Sequence, residues 1–327
     1  MKRAALVLVA LFLAVVAQAQ QDSQFTQYVF NGIHINPGYA GHKEELYVQS
    51  FYRAQWMGLE GAPRTFSVSA DAATMNKNVG LGLVVSNDQV GAQRHLSAFA
   101  NYAYRLRVGF EESTRLSFGI AGGIVQTGLD GDKLNAIQPG DVAVPTGMQS
   151  LTVPDARIGV YYSDTTFFAG LSLTNIIARS LVNKTLDNMN VPVPQPHLYF
   201  STGALFRINS DLRFKPVLLI KEDFSGPTSV DLNAFFLLKE KVWLGTFYKA
   251  EIGIFPKAAL QKDLTKRNSM GFIAEVFATP DFRIGYSYDY TVNKFRTYNS
   301  GSHELSVGFY LSKKTSDKNK GKRCYHF

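Results

Sequence analysis

From Glu45 to Leu311, apolar and polar or small residues alternate with a period of two, and charge keeps to one of the two faces this creates. In a β-strand successive side chains point to opposite faces. Over residues 95–106 one face carries Leu96, Ala98, Ala100, Tyr102, Tyr104 and Leu106. The other carries His95, Ser97, Phe99, Asn101, Ala103 and Arg105. The same division sets Phe66, Val68 and Ala70 against Thr65, Ser67, Ser69 and Asp71. It also sets Leu305, Val307, Phe309 and Leu311 against Glu304, Ser306 and Tyr310. If the apolar face meets lipid the segregation is required, because Lys or Arg there costs roughly 2–4 kcal/mol at mid-membrane.

Fourteen such segments are centred near Gln49, Val68, Leu83, Asn101, Phe118, Val160, Leu171, Ser201, Leu218, Leu232, Leu244, Ala274, Gly285 and Ser306. Their connectors differ in length. After even-numbered segments they are short: 75–78, 109–112, 163–165, 209–211, 239–241 and 279–281. After odd-numbered segments they tend to be longer, above all 128–154, 175–195 and 250–268; 57–64 and 223–227 are intermediate. Short turns at one end and long loops at the other are the pattern of an outer-membrane barrel, with the short turns periplasmic. Fourteen strands are too many for one β-sandwich, and a propeller would need a repeat of about 40–50 residues that is absent. The expected fold is therefore all-β: a transmembrane antiparallel β-barrel of the outer membrane with about 14 strands and both termini in the periplasm. Pro216 falls inside the ninth segment. It cannot donate to a ladder, so a bulge is expected there.

The other regions flank this barrel, which spans 44–311. Lys2 and Arg3, the unbroken apolar run 4–17 and Ala17-Gln18-Ala19 form the pattern of a cleaved secretory signal over 1–19. Fourteen apolar residues are too few for the ~20 a membrane helix needs. The mature chain would begin at Gln20, and no Cys follows that could carry a lipid. Residues 20–43 do not alternate; rich in Gln, Asn, Gly and aromatics, they read as a periplasmic arm or a plug in the lumen. Phe51, Phe99 and Phe235 on the inner face suggest a lumen partly filled by packing. The tail 312–327 is basic.

The formal charge of +8 invites a nucleic-acid reading, but its distribution argues against one. Losing Lys2 and Arg3 leaves +6. Lys313, Lys314, Lys318, Lys320, Lys322 and Arg323 against Asp317 give the tail +5, so the chain between is nearly neutral at +1. An acidic face on a periplasmic subunit is the partner this tail suits. A single Cys excludes a disulfide framework within the chain and a Cys-rich zinc site.

Several blocks resemble the PorP/SprF family of type IX secretion membrane proteins. They are Asp22-Ser23-Gln24-Phe25-Thr26-Gln27-Tyr28 with Phe30-Asn31, and Ile35-Asn36-Pro37-Gly38-Tyr39-Ala40-Gly41. Tyr52-Arg53-Ala54-Gln55-Trp56-Met57-Gly58 followed by Gly61-Ala62-Pro63-Arg64-Thr65 continues the likeness. Later blocks at 79–82 and 126–134, and the ending Arg323-Cys324-Tyr325-His326-Phe327, are also similar. Gly38 stands where the family commonly has Ala. The resemblance implies an integral outer-membrane barrel of Bacteroidota that is a non-enzymatic component of type IX secretion. It also implies a role in secretion or surface attachment of cargo with a C-terminal sorting domain, including gliding adhesins. Implied partners are that cargo and periplasmic subunits of the machinery, besides outer-membrane lipid. The alternative is a passive porin or hydrophobic-solute channel, which would need an open lumen.

Candidate binding residues follow. Asn36-Pro37-Gly38-Tyr39 is a turn signal, because Pro fixes φ and Gly accepts positive φ; it is either a plain turn at the barrel entrance or a docking surface. Arg53, Gln55 and Trp56 lie near the outer end of the first strand. Trp56 suits an interfacial aromatic belt, Arg53 and Gln55 suit a luminal hydrogen-bond network, and all three could contact a partner. Gly58, Gly61 and Pro63 shape the loop that follows. Lys320, Lys322, Arg323, Cys324 and Phe327 form a candidate docking motif in the tail, and Cys324 could form an intermolecular disulfide. Asp130, Asp132 and Asp141 fall far short of a calcium-loop pattern. The six His show no H-E-x-x-H spacing and G-x-S-x-G is absent. No enzyme activity, metal or cofactor is expected, and no nucleic acid as partner.

Overall fold

Each of the fourteen alternating segments forms a strand where the pattern assigns one. The computed structural model describes residues 25–109, 111, 113–134, 145–185, 191–253 and 267–311. The proposed signal and the basic tail therefore lie outside the described residues. The strands are β1 (Tyr47–Ala54), β2 (Arg64–Ala73), β3 (Val79–Val90), β4 (Gln93–Arg107), β5 (Arg115–Asp130), β6 (Met148–Ser163) and β7 (Phe167–Thr174). They continue as β8 (His197–Ala204), β9 (Phe206–Arg207), β10 (Leu212–Glu222), β11 (Thr228–Leu238), β12 (Val242–Ile252), β13 (Arg267–Phe277), β14 (Phe282–Thr291) and β15 (Ser302–Tyr310). β8 and β9 both pair with β10 in one register, so they are a single strand interrupted at Leu205. Every neighbouring pair is antiparallel, and β1 pairs with β15, closing a 14-strand barrel.

The register leaves the predicted apolar face outside. Leu83, Ile120, Leu232 and Leu305 are exposed on the exterior, while Ser69, Asn101, Ser117 and Ser306 are buried within. A one-residue slip would reverse both faces of a strand, so this segregation fixes the pairing. Aromatic side chains bound the apolar wall near the short turns and, on part of the circumference, near the long loops. Tyr104 pairs with Phe118, and Phe206, Phe214 and Phe236 adjoin in sequence near the short turns. Tyr248, Met270 and Tyr290 form a row near the long loops. An apolar band between aromatic girdles on a closed antiparallel barrel is the outer-membrane architecture.

Three local expectations are corrected. No bulge occurs at Pro216. Its register with Ala234 is unbroken; toward β8 and β9 the ladder simply lapses opposite Ala204 and Leu205. On its other side Leu205 extends the ladder to β7, its N–H donating to the Thr166 carbonyl at 2.7 Å. The register shift among the described pairings lies between Lys249 and Ala250. The expected loop 128–154 gives up both its ends to strand: β5 runs to Asp130 and β6 starts at Met148, 16 residues each. Their outward residues there, such as Gln126 and Thr152, are polar, so the apolar signal faded before the strands ended. Finally, β3 and β4 are joined at the long-loop end by only Gly91 and Ala92.

The lumen is occupied. Short 3₁₀ turns at Thr26–Phe30, Gly32–His34 and Pro37–Tyr39 lie against the inward face of the wall. Tyr28, Phe30, Ile33 and Tyr39 pack with Val84, Tyr161, Phe168, Phe235 and Trp243 in one buried cluster. At the long-loop end, the β7–β8 connection folds inward. It carries the short helix Ala178–Thr185, and Ala178, Val182, Val191 and Val193 pack on Phe99, Val125 and Val153.

Candidate functional site

The first luminal site is a buried ionic hub built by β1, β12, β14 and β15. Arg53 points inward and is 2% exposed. Its guanidinium donates to Thr26 Oγ1 (2.7 Å), Glu304 Oε2 (3.3 Å) and Asp289 Oδ2 (3.1 Å). Lys249 donates to the same Thr26 hydroxyl (2.9 Å) and to Asp289 (3.0 Å). The Glu304 carboxylate accepts the backbone N–H groups of Thr26 and Gln27, both at 2.8 Å. Two cations thus face two carboxylates, and the remaining acceptor capacity fastens the N-terminal segment. Buried charges are tolerated on such terms, because each is paired and hydrogen-bonded.

The second luminal site is the Asn36 turn, near the short-turn end. Asn36 Nδ2 donates to the carbonyls of Val160 (3.0 Å) and Leu171 (3.4 Å), while Oδ1 accepts from Gly38 N (2.8 Å). Gly119 and Gly159 make room for this turn. A Cβ at Gly119 would collide with the Pro37–Gly38 backbone, and one at Gly159 with the Asn36 side chain. Tyr39 is buried edge-on against Tyr161 at 5.3 Å. Asn36, Pro37 and Tyr39 are therefore buried in the lumen, where hydrogen bonds to the wall hold the turn. Below them, Lys43 donates to the Phe30 carbonyl (2.7 Å) and lies 3.4 Å over the Tyr47 ring. Burial draws the Lys43 pKa well down, Arg283 adds to the drop, and Asp71 opposes it.

Between these anchors, the His34 ring lies tilted against Phe25 (5.0 Å) and edge-on to Phe51 (5.1 Å). Burial holds its pKa down at about 3, with Arg157 and Lys43 contributing, so the imidazole is neutral at ordinary pH. A cavity of about 50 Å³ lies beside it, lined among others by Tyr28, Arg157, Tyr199 and Asp231. That is room for a few waters rather than a pore. On the β4–β6 side the described residues of the inward-folded connection are fastened to the wall. Asp155 Oδ1 accepts the N–H groups of Ile177 (2.9 Å) and Ala178 (3.0 Å), and Thr127 Oγ1 donates to the Pro192 carbonyl (2.7 Å).

A third site is the platform at the long-loop end. Gln55 N–H donates to the Pro63 carbonyl (2.9 Å), and Gly91 N–H to the Gly61 carbonyl (2.8 Å). Met57 exchanges hydrogen bonds with the β14–β15 loop, donating to Gly301 O and accepting from Ser300 N, both 2.8 Å. Trp56 has φ +48, a conformation a bulky residue adopts only when its surroundings impose it. Its N–H reaches Ser302 Oγ (3.1 Å), and its ring meets Phe295 edge-on at 5.1 Å. Met57, Leu59 and Tyr298 remain exposed on top.

The predicted residues thus divide. Gln55, Trp56, Gly61 and Pro63 assemble in the platform, whereas Arg53, only two residues from Gln55, turns into the lumen. Lys320, Lys322, Arg323, Cys324 and Phe327 lie outside the described residues, as does Asp141. Asp130 pairs with Lys133 (3.8 Å), and Asp132 accepts from Gly147 N (3.1 Å). Among the described residues no group of three or more metal-ligating side chains converges. Sequence reasoning did not single out Glu304, Asp289 or Lys249 as a site. The available signal was charge at inward positions close to the long-loop ends of their strands.

Comparison with known proteins adds the following. A family model described as "Type IX secretion system membrane protein PorP/SprF" matches residues 17–309. No curated protein matches the chain. Among solved structures, the chain is similar to the Acinetobacter baumannii outer membrane protein Omp33, at 7% identity over 82% of this chain and 98% of that one, with a TM-score of 0.47. It is also similar to a Pseudomonas aeruginosa FadL homologue (10% identity, 90% and 96% covered, TM-score 0.45). A mutant of the monoaromatic hydrocarbon channel TodX gives 9% identity, 85% and 92% covered, and a TM-score of 0.45.

Proposed function

The chain belongs to the PorP/SprF family of type IX secretion system membrane proteins, and from that premise we propose that it is a non-enzymatic anchoring and display component of the machinery. It is needed for secretion or surface attachment of cargo with a C-terminal sorting domain, gliding adhesins being the type implied. The long-loop platform faces outward and engages cargo. The short turns and the basic tail 312–327 face the periplasm, where the tail meets an acidic surface on a subunit of the machinery.

One observation supports display over conduction: the lumen is packed. The N-terminal segment is held by Glu304 and Arg53 at one depth and by Asn36 at another, and the β7–β8 connection packs above it. A passive porin wants a water-filled channel. The test is a deletion strain, with and without the gene restored, scored for sorting-domain proteins in the medium and on the cell surface. Particular cargo proteins should be lost and should return on complementation. Unchanged secretion and display would overturn the proposal. In a planar bilayer the purified barrel should show no large, steady open current.

A further inference from the structure

The exterior of the barrel is not uniform at the long-loop end. On one side Tyr248, Met270 and Tyr290 form a row of two tyrosines flanking a methionine. On the other, the cross-strand register aligns Arg64, Gln89 and Arg94 across β2, β3 and β4. All three share the outward parity of Phe66 and Leu96, and both arginines are exposed. Their backbones are two strand spacings apart, roughly 10 Å, a gap that two long arginine side chains can close upon one anion. One row nearer the membrane, Asn87 and Gln126 are outward too, and Gln126 donates to Thr152 Oγ1 at 3.1 Å. One row further in, Val68, Val85, Ala98 and Ile124 begin the apolar wall.

The height of this row fits a lipid headgroup. Arg94 stands ten residues along β4 from Tyr104, which belongs to the girdle at the opposite interface. At about 3.4 Å per residue and a tilt of about 40°, that places it about 25 Å across the membrane, the height of the apolar band. An arginine there lays its stem on the apolar wall and lifts its guanidinium to the interface. Guanidinium groups bind phosphate through paired, charge-assisted hydrogen bonds. Amide side chains beside them suit sugar hydroxyls.

We infer that Arg64 and Arg94 form a site for the phosphorylated sugar headgroup of an outer-leaflet glycolipid, with Asn87, Gln89 and Gln126 contacting the sugar. Placement in the outer leaflet rests on the orientation proposed above; the binding chemistry does not. The full chain, folded in zwitterionic detergent, is titrated with diphosphoryl lipid A, and bound adducts are counted by native mass spectrometry. Wild type should retain the lipid, and R64Q/R94Q should bind about tenfold more weakly. R64K/R94K should keep part of the affinity, and R207Q, exposed at the short-turn end, should match wild type. The heat-dependent gel mobility of each variant reports that it is folded, and single substitutions give intermediate losses. Equal binding by R64Q/R94Q and wild type, or an equal loss in R207Q, overturns the site. Surface labelling of a tag placed at Glu60 in intact cells tests orientation separately: no labelling would overturn the outer-leaflet assignment while leaving the binding result standing.

Discussion

The carboxylate of Glu304, on the last strand, accepts the backbone N–H of Thr26 at 2.8 Å across a separation of 278 residues. The closing strand pair and the luminal segment therefore share one carboxylate, because Glu304 also takes Arg53 from the first strand. Glu304→Ala leaves the Thr26 and Gln27 N–H groups without their acceptor in a buried site and removes one of the two carboxylates that pair with Arg53. Breaking such a pair typically costs about 3–5 kcal/mol. The variant should unfold at a lower temperature when gel mobility is followed against heating, and residues 25–43 should become open to protease. An unchanged midpoint and unchanged protection would refute the anchoring role.

Gly159→Ala tests the cradle beneath the Asn36 turn. The added methyl meets the Asn36 side chain, so the turn must shift or leave. Overpacking of this kind costs about 1–3 kcal/mol. A displaced turn loosens the plugged lumen, so single-channel recordings should show openings in the variant that wild type lacks. Matching traces from the two proteins would mean the wall accommodates the methyl.

His34 gives the luminal segment a pH dependence of known sign. Its pKa falls from an ordinary 6.5 to about 3 on docking, so the proton favours the undocked state. The stabilisation is complete above pH 6.5 and is lost as pH falls from 6.5 toward 3, at up to about 1.4 kcal/mol per pH unit. Hydrogen exchange of residues 25–43 should accelerate between pH 7 and 4.5. His34→Gln isolates the contribution of the imidazole: it should flatten the profile between pH 6.5 and 4.5. A profile identical to wild type would remove His34 from the account.

Trp56→Ala separates display from stability. The ring packs on Phe295 at the rim, away from the luminal hub, so barrel stability should change by about 1 kcal/mol or less. Cargo display, scored by antibody labelling of intact cells, should fall if the platform is the contact surface. Full display with a disordered loop would place cargo contact elsewhere.

Truncation after Leu311 removes the tail's net charge of +5. The barrel should still insert, and the amount of machinery co-purifying with it should drop, more so in low salt, where the lost attraction was least screened. Undiminished co-purification and secretion would show that the tail is not the periplasmic contact.

The sequence by itself determined the wall. A lipid exterior tolerates charge poorly and a strand alternates with period two, so each segment carried its own position, its face and its distance from the next turn. The strand extensions in β5 and β6 escaped because their outward residues leave the lipid and cease to be apolar, so the same alternation no longer showed. Only the tertiary structure decided the interior. Arg53 and Thr26 are 27 residues apart and Arg53 and Glu304 are 251 apart; barrel closure alone makes them neighbours. The space for Asn36 depends on glycines of two different strands, and the Arg64–Arg94 pair depends on the register of three. A one-dimensional pattern states which face a residue occupies, whereas luminal contacts arise from which strands lie across from one another, and that is set by closure and register.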